Sequence, residues 1–187
     1  MYGKVRTAFE KRGHYAISCD ILPCETKGCH YWGRVEDIIN NDWDLIIAHP
    51  PCTYLCNSGV SWLHRDQSRW GKMIKAAKFF KMILENKCPK IAIENPIMHK
   101  YAIDIIGRRQ DQVIQPYMFG HPERKATCLW LKNLEKIEQT NNVKHVMDSL
   151  PKKQSQRIHY ASPSKDRWKI RSETFQGIAD AMATQWG

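Results

Sequence analysis

Two stretches decide how this chain folds: Asp44-Leu-Ile-Ile-Ala-His49-Pro50-Pro51-Cys52 and Lys90-Ile-Ala-Ile-Glu94-Asn95-Pro96. Each is a short, almost wholly apolar run closed by proline, the pattern of a buried parallel strand with a stiffened loop at its carboxyl end. Between them, Trp70 to Asn86 carries apolar residues at Met73, Ala76, Ala77, Phe80, Ile83 and Leu84, which is helical spacing. Strand, helix, strand implies an α/β crossover of right-handed sense. Working outward, Val5 to Arg12 reads as a helix stopped by Gly13, and His14 to Asp20 as a strand ending in a carboxylate. Val113 to Phe119 and Thr127 to Leu131 read as a hairpin around Gly120-His121-Pro122, and Gly177 to Trp186 as a last amphipathic helix.

A chain of 187 residues that is 42% hydrophobic suits one compact domain, residues 1–187. Its 29 Lys+Arg against 19 Asp+Glu give a net charge of +10, which favours a polyanionic partner. The charge concentrates in the polar segment 132–171: Lys152 to Arg171 holds Lys152, Lys153, Arg157, Lys165, Arg167, Lys169 and Arg171 against Asp166, with Tyr160 and Trp168 interleaved. Such a stretch is either a solvated face or a groove for nucleic acid, with phosphates on the cations and bases stacked on the rings. No apolar segment has the length of a signal or membrane-spanning helix, so a cytoplasmic protein without membrane association is expected. Seven cysteines, an odd number, suit reduced thiols. The spacing of Cys19, Cys24, Cys29 and His30 is not that of a zinc knuckle or ribbon, and no metal is expected.

In a doubly wound sheet, ligands bind beyond the carboxyl ends of the strands, where both proline-closed motifs fall. Pro50-Pro51 fixes the aim of Cys52, which can act as a nucleophile where its thiolate is favoured, although cysteine is more often a packing residue. Cys56 shares the loop without a proline pair to aim it. Glu94, at the rim of an apolar strand, is placed to share a proton with a ring nitrogen; its plainer alternatives are a capping acid or an ion-pair partner.

A Pro-Pro-Cys loop after one strand and a Glu-Asn turn after the next resembles the catalytic pair of DNA cytosine-5 methyltransferases. The resemblance continues in order along nearly the whole chain. Val5-Arg6-x-Ala8-x-Glu10-x-x-Gly13 is similar to the helix after the family's cofactor loop, Ser58-Gly59 to its catalytic loop, Ser68-Arg69 to its next motif, and Phe119-Gly-His-Pro122 to the turn before its late substrate motif. It implies a Rossmann-like S-adenosylmethionine-dependent methyltransferase fold, mostly parallel with a terminal antiparallel hairpin. It also implies that Cys52 adds to C6 of a flipped-out cytosine while Glu94 bonds N3 and the exocyclic amine, so that C5 accepts the methyl group.

By the same resemblance Gly3, Asp20, Ile21, Asp37 and Pro50 fall at cofactor positions, with Asp20 on the ribose hydroxyls. Pro51, Ser58, Gly59, Arg69, Asn95, Arg124, Lys125 and Thr127 fall at substrate positions, and Arg157, Lys165, Arg167, Lys169 and Arg171 are the expected contacts to double-stranded DNA. Departures from the pattern are specific. Only Gly3 remains of the cofactor loop's glycine pair, Arg34 stands where the adenine amine meets an acid, and Lys125 and Thr127 replace two arginines. Segment 132–171 replaces a target-recognition domain. The truncated cofactor motif leaves two alternatives to DNA methylation, a non-catalytic DNA-binding relative and a methyltransferase of free cytosine nucleotides. Oligomeric state and target sequence have no signature in the chain.

Overall fold

The computed structural model describes residues 3–165 and 167–187; Met1, Tyr2 and Asp166, the one acid of the basic stretch, lie outside the described residues. The chain divides into two compact units, one made of Met1–Ile38, Gln115–Lys125 and Ile137–Gly187, the other of Ile39–Ile114 and Ala126–Lys136.

The second unit contains both proline-closed motifs. Leu45–Ala48 (β3) pairs in parallel with Lys90–Pro96 (β4), which pairs antiparallel with Thr127–Lys132 (β6), and β6 pairs antiparallel with Gln112–Ile114 (β5). The sheet order is β3-β4-β6-β5. The helix between the motifs runs Ser68–Leu84 (α3) and buries Met73, Ala77, Phe80, Ile83 and Leu84, five of the six residues its apolar spacing selects, with Ala76 half-buried. Phe80 meets Trp130 of β6 edge to face at 4.9 Å, in a core that also holds Ile91, Ile93 and Leu129. Two shorter helices, Ser61–Arg65 (α2) and Lys100–Ile106 (α4), complete the unit.

In the first unit, Ser18–Asp20 (β1) and His30–Trp32 (β2) form a separate two-stranded parallel sheet. Lys4–Glu10 (α1) packs against Gln176–Trp186 (α8), burying Ala8 and Phe9 on one side and Ile178, Met182 and Trp186 on the other. Lys144–Ser149 (α5), Lys152–Ser155 (α6) and Arg167–Ser172 (α7) lie in the polar segment.

This architecture overturns the mostly parallel Rossmann-like sheet that the resemblance implies. The four-stranded sheet is mixed, with one parallel pair against two antiparallel pairs. The terminal antiparallel pair does form, β5 on β6 at the sheet's end, but Thr127–Lys132, with five of its six residues buried, also lies antiparallel against β4, and that second pairing makes the sheet mixed. Of the strand read from His14, only Ser18–Asp20 forms, and its partner is β2, outside the larger sheet. Strand β3, read as buried, is the half-buried edge of its sheet.

Candidate functional site

Cys52 and Glu94 stand beyond and at the carboxyl ends of adjacent parallel strands because β3 and β4 pair with a constant offset: Leu45 lies beside Lys90 and Ala48 beside Ile93. The pairing continues past the strands through side chains. His49 Nδ1 lies 2.9 Å from Glu94 Oε2, Asn95 Nδ2 donates to the Pro50 carbonyl at 2.8 Å, and His99 Nε2 donates to the Tyr54 carbonyl at 2.9 Å; each pair keeps the same separation of 45 residues. Backbone bonds add to this: Asn57 N–H to the Ile97 carbonyl at 2.8 Å and His99 N–H to the Leu55 carbonyl at 3.0 Å. The loop bearing Cys52 is thus laced to the segment bearing Glu94, which fixes the geometry of both groups before any ligand arrives.

The order of these bonds assigns proton positions. His99 Nδ1 accepts from the Ala102 N–H at 3.1 Å, capping α4, so the ring carries its proton on Nε2. Beside an ionised Glu94, His49 donates from Nδ1. His49 is the wetter partner, its side chain 32% exposed against 11% for Glu94. Asn95 is buried, and its Oδ1 has no hydrogen-bond partner among the described residues.

The Cys52 thiol is held well above the ordinary thiol range by its hydrogen bond with Cys56, by burial and by the charges of Cys56 and Glu94. Cys56 is therefore not an independent neighbour. One helical turn, closed by its N–H to the Cys52 carbonyl at 3.0 Å, brings the two thiols together, and Ser58 Oγ lies 3.3 Å from Cys56 Sγ. Pro51 is exposed in the same loop, and Ser58 and Gly59 form the 3-10 turn Asn57–Gly59. Arg69 stacks its guanidinium over Tyr54 at 4.8 Å. Thr127, buried at the start of β6, lies beside Pro96 of β4.

The other expected residues belong to the first unit. Asp20 Oδ1 accepts from the Leu22 N–H at 2.7 Å. Ile21 is 71% exposed beside Trp32 at 70%, and the Trp32 ring N–H donates to the Ile21 carbonyl at 3.0 Å. Asp37 Oδ2 receives the Tyr31 hydroxyl and the Arg34 N–H, both at 3.2 Å, while Arg34 pairs with Glu36 at 2.9 Å. Of a nucleoside cofactor, the adenosine part would meet the Asp20 carboxylate through its hydroxyls and the exposed Trp32 ring and Ile21 side chain through its base. The methionine part finds no cradle at Gly3, since a Cβ there would come within 2.9 Å of the Arg6 guanidinium and of Thr26 Oγ1. The glycine makes room for Arg6, which is buried and bonded to Ser18, Thr26 and the Cys29 carbonyl.

Of the expected DNA contacts, Arg157 is paired with Glu123 at 3.0 Å, Lys169 with Glu25 at 2.8 Å and Arg124 with Asp148 at 3.0 Å. Lys125 donates to the Glu173 carbonyl at 3.1 Å. Lys165 and Arg171 are exposed, and Arg167 has its Nε buried without a hydrogen-bond partner among the described residues. Both ring nitrogens of His30 are engaged, with Ser18 Oγ and the Leu22 carbonyl, and among the described residues no three His, Cys, Asp or Glu side chains converge as a metal site. Also among them, no helix is long and apolar enough to cross a membrane.

The residue reading missed His49, which it had only as the start of His-Pro-Pro-Cys, and the clamps made by His99 and by Asn95 through the Pro50 carbonyl. All three share the 45-residue offset, which only the pairing of β3 with β4 reveals. No family model, curated protein or solved structure matches the chain.

Proposed function

We propose that the protein methylates C5 of cytosine in DNA through a covalent Cys52 adduct, with S-adenosylmethionine as methyl donor. The observation that supports this reading is the laced pair itself: a half-buried thiol and a carboxylate at the carboxyl ends of adjacent parallel strands, with Glu94 held in place by His49. The seven free thiols accord with a reducing cytoplasm.

The chain's own groups account for the addition step. A protonated Glu94 gives its proton to N3 as the Cys52 sulfur adds to C6, so the negative charge that would build on the ring is neutralised as it forms. The same protonation removes one of the charges that keep Cys52 neutral. Nucleophile and acid are therefore armed together. The thiol proton leaves through Cys56 or water, and His49, the wetter partner, supplies the proton that Glu94 carries to N3. Bound cofactor supplies the methyl group to the enamine carbon. Loss of the C5 proton to water, expulsion of the sulfur as thiolate and return of the N3 proton to Glu94 then release 5-methylcytosine, and the thiolate regains its proton from water. The reading is tested by transfer of labelled methyl to a cytosine-containing oligodeoxynucleotide: labelled 5-methylcytosine in the parent protein and none in Cys52→Ser support it, and label elsewhere refutes it.

A second reading, a DNA-binding relative without methyl transfer, is favoured by Arg6 at the Gly3 position. Calorimetry separates the two. Binding of the donor that is weakened by Asp20→Ala supports the enzyme, and no binding supports the relative.

A further inference from the structure

The strongest unassigned surface lies in the same unit as Cys52. Ser61 to Leu84 holds Arg65, Arg69, Lys72, Lys75, Lys78 and Lys81 against one acid, Asp66. Asp66 is committed locally: its Oδ1 accepts the Ser68 N–H at 3.0 Å and the Ser68 hydroxyl at 2.7 Å, fixing the start of α3. Its charge reaches Lys72 and Arg69 only through space. Among the described residues, Arg65, Arg69, Lys72, Lys75 and Lys78 form no ion pair with a carboxylate, in contrast to Arg124, Arg157 and Lys169 of the other unit. Lys72, Lys75 and Lys78 are exposed and recur at helical spacing, so neighbours stand about 5–6 Å apart along one face.

Two aromatic groups mark the end of this stripe nearest the reacting pair. Arg69 lies over the ring of Tyr54, two residues from Cys52, and its Nε is buried with no hydrogen-bond partner among the described residues, a donor without an acceptor. Trp62 of α2 is 52% exposed, with the Arg65 guanidinium 5.3 Å from its ring. A half-exposed tryptophan with a cation over its ring, and no carboxylate paired with that cation among the described residues, has the composition of a base-stacking platform next to a phosphate contact.

We propose that a single strand of DNA lies along α2 and the N-terminal half of α3, with phosphates on Arg65, Arg69, Lys72 and Lys75 and a base stacked on Trp62. Stacking requires an unpaired base, since duplex bases have their faces covered, and this favours a strand over a duplex. Delivery of a cytosine to Cys52 rests on the proposed function; the track itself does not. It also accounts for a small chain without a large recognition domain: a base that is already unpaired need not be flipped.

The test measures anisotropy of a labelled oligodeoxynucleotide in the Cys52→Ser background without methyl donor. Arg65→Gln/Lys72→Gln/Lys75→Gln should weaken binding about tenfold or more and make the salt slope shallower by about two. The equal-charge control Lys11→Gln/Lys87→Gln/Lys136→Gln should change it less than about twofold. Trp62→Ala should cost about fivefold or more and Trp62→Phe much less. All these residues are exposed, so an unchanged thermal transition confirms the fold of each variant. Undiminished binding by the charge triple, loss in the control equal to that in the triple, an unaffected Trp62→Ala, or tighter binding of the duplex or of a matching RNA strand would each overturn the proposal. Binding that follows the expected pattern while no methyl transfer or adduct is ever seen keeps the track and removes the reaction. Methyl transfer undiminished in the triple does the reverse.

Discussion

Cys24 and Cys52 are the same side chain in two settings that drive the thiol in opposite directions. Cys24, in the first unit, is pushed up by partial burial but brought below the ordinary range by hydrogen bonds from Thr26 and by the Arg6 guanidinium, 3.6 Å from its sulfur. Cys52, in the second, is pushed up by Cys56, by burial and by Glu94. The nucleophile of the proposed reaction is therefore not the thiol with the lower pKa. Cys24 is the more readily ionised of the two at rest. Cys52 is quiet at rest and coupled to an acid, so its activation can follow the protonation of Glu94 on substrate binding.

The comparison is broken or sharpened first at Glu94. Glu94→Gln cannot deliver a proton and should slow methyl transfer about 100-fold or more, yet it removes a charge that raises Cys52 and should speed alkylation of that thiol by iodoacetamide. Rate measurements on the one variant read both directions; two rates falling together would mean that Glu94 acts by holding the fold.

Next is the contrast between the thiols themselves. Below its pKa a thiol alkylates tenfold faster for each pH unit gained, then levels off. Cys24, shifted down, should level off below about pH 8.5, the ordinary thiol value. Cys52, shifted up, should still be climbing above it, so near neutral pH Cys24 should react about tenfold or more faster. Site-resolved mass spectrometry across pH checks this, and Cys56→Ala should move the Cys52 profile to lower pH.

Smaller effects concern the scaffold. Asn95→Ala strips the Pro50 carbonyl of its buried donor and should lower stability by about 1–3 kcal/mol in denaturant unfolding. Lys4→Gln, which breaks the surface pair with Glu173 in the first unit, should cost less than about 1 kcal/mol in the same assay. A loss of similar size in both variants would deny that the second unit's loop is the more tightly determined.

What was legible follows the same division. The helix read over Trp70 to Asn86 and the strand read over Lys90 to Glu94 were legible because each buries an apolar set, and the strand ending at Ala48 because its run is apolar although half-buried; the proximity of Cys52 to Glu94 followed from adjacency of those strands. The register was not legible. Parallel strands joined through a long crossover have no turn to set their offset, so His49 could not be assigned to Glu94, nor His99 to Tyr54, before the pairing was seen. In the first unit the strands are three residues long and the charges are satisfied by partners distant in sequence, as Lys169 is by Glu25 across 144 residues. No local pattern announces such pairs. That is why Lys152 to Arg171 read as an open basic surface, and why Gly3 read as a cofactor contact when its neighbour is Arg6.

The central claim is a bond between Cys52 and C6 of cytosine. An oligodeoxynucleotide carrying 5-fluorocytosine, incubated with the protein and S-adenosylmethionine, should form an adduct that survives denaturation, because fluorine at C5 cannot leave as the proton does. Intact-mass spectrometry should then show the protein increased by the mass of the oligonucleotide and one methyl group, with peptide mapping to Cys52, and no increase in Cys52→Ser. An adduct that persists in Cys52→Ser, or the absence of any adduct from a parent protein shown to bind both ligands, would contradict the account.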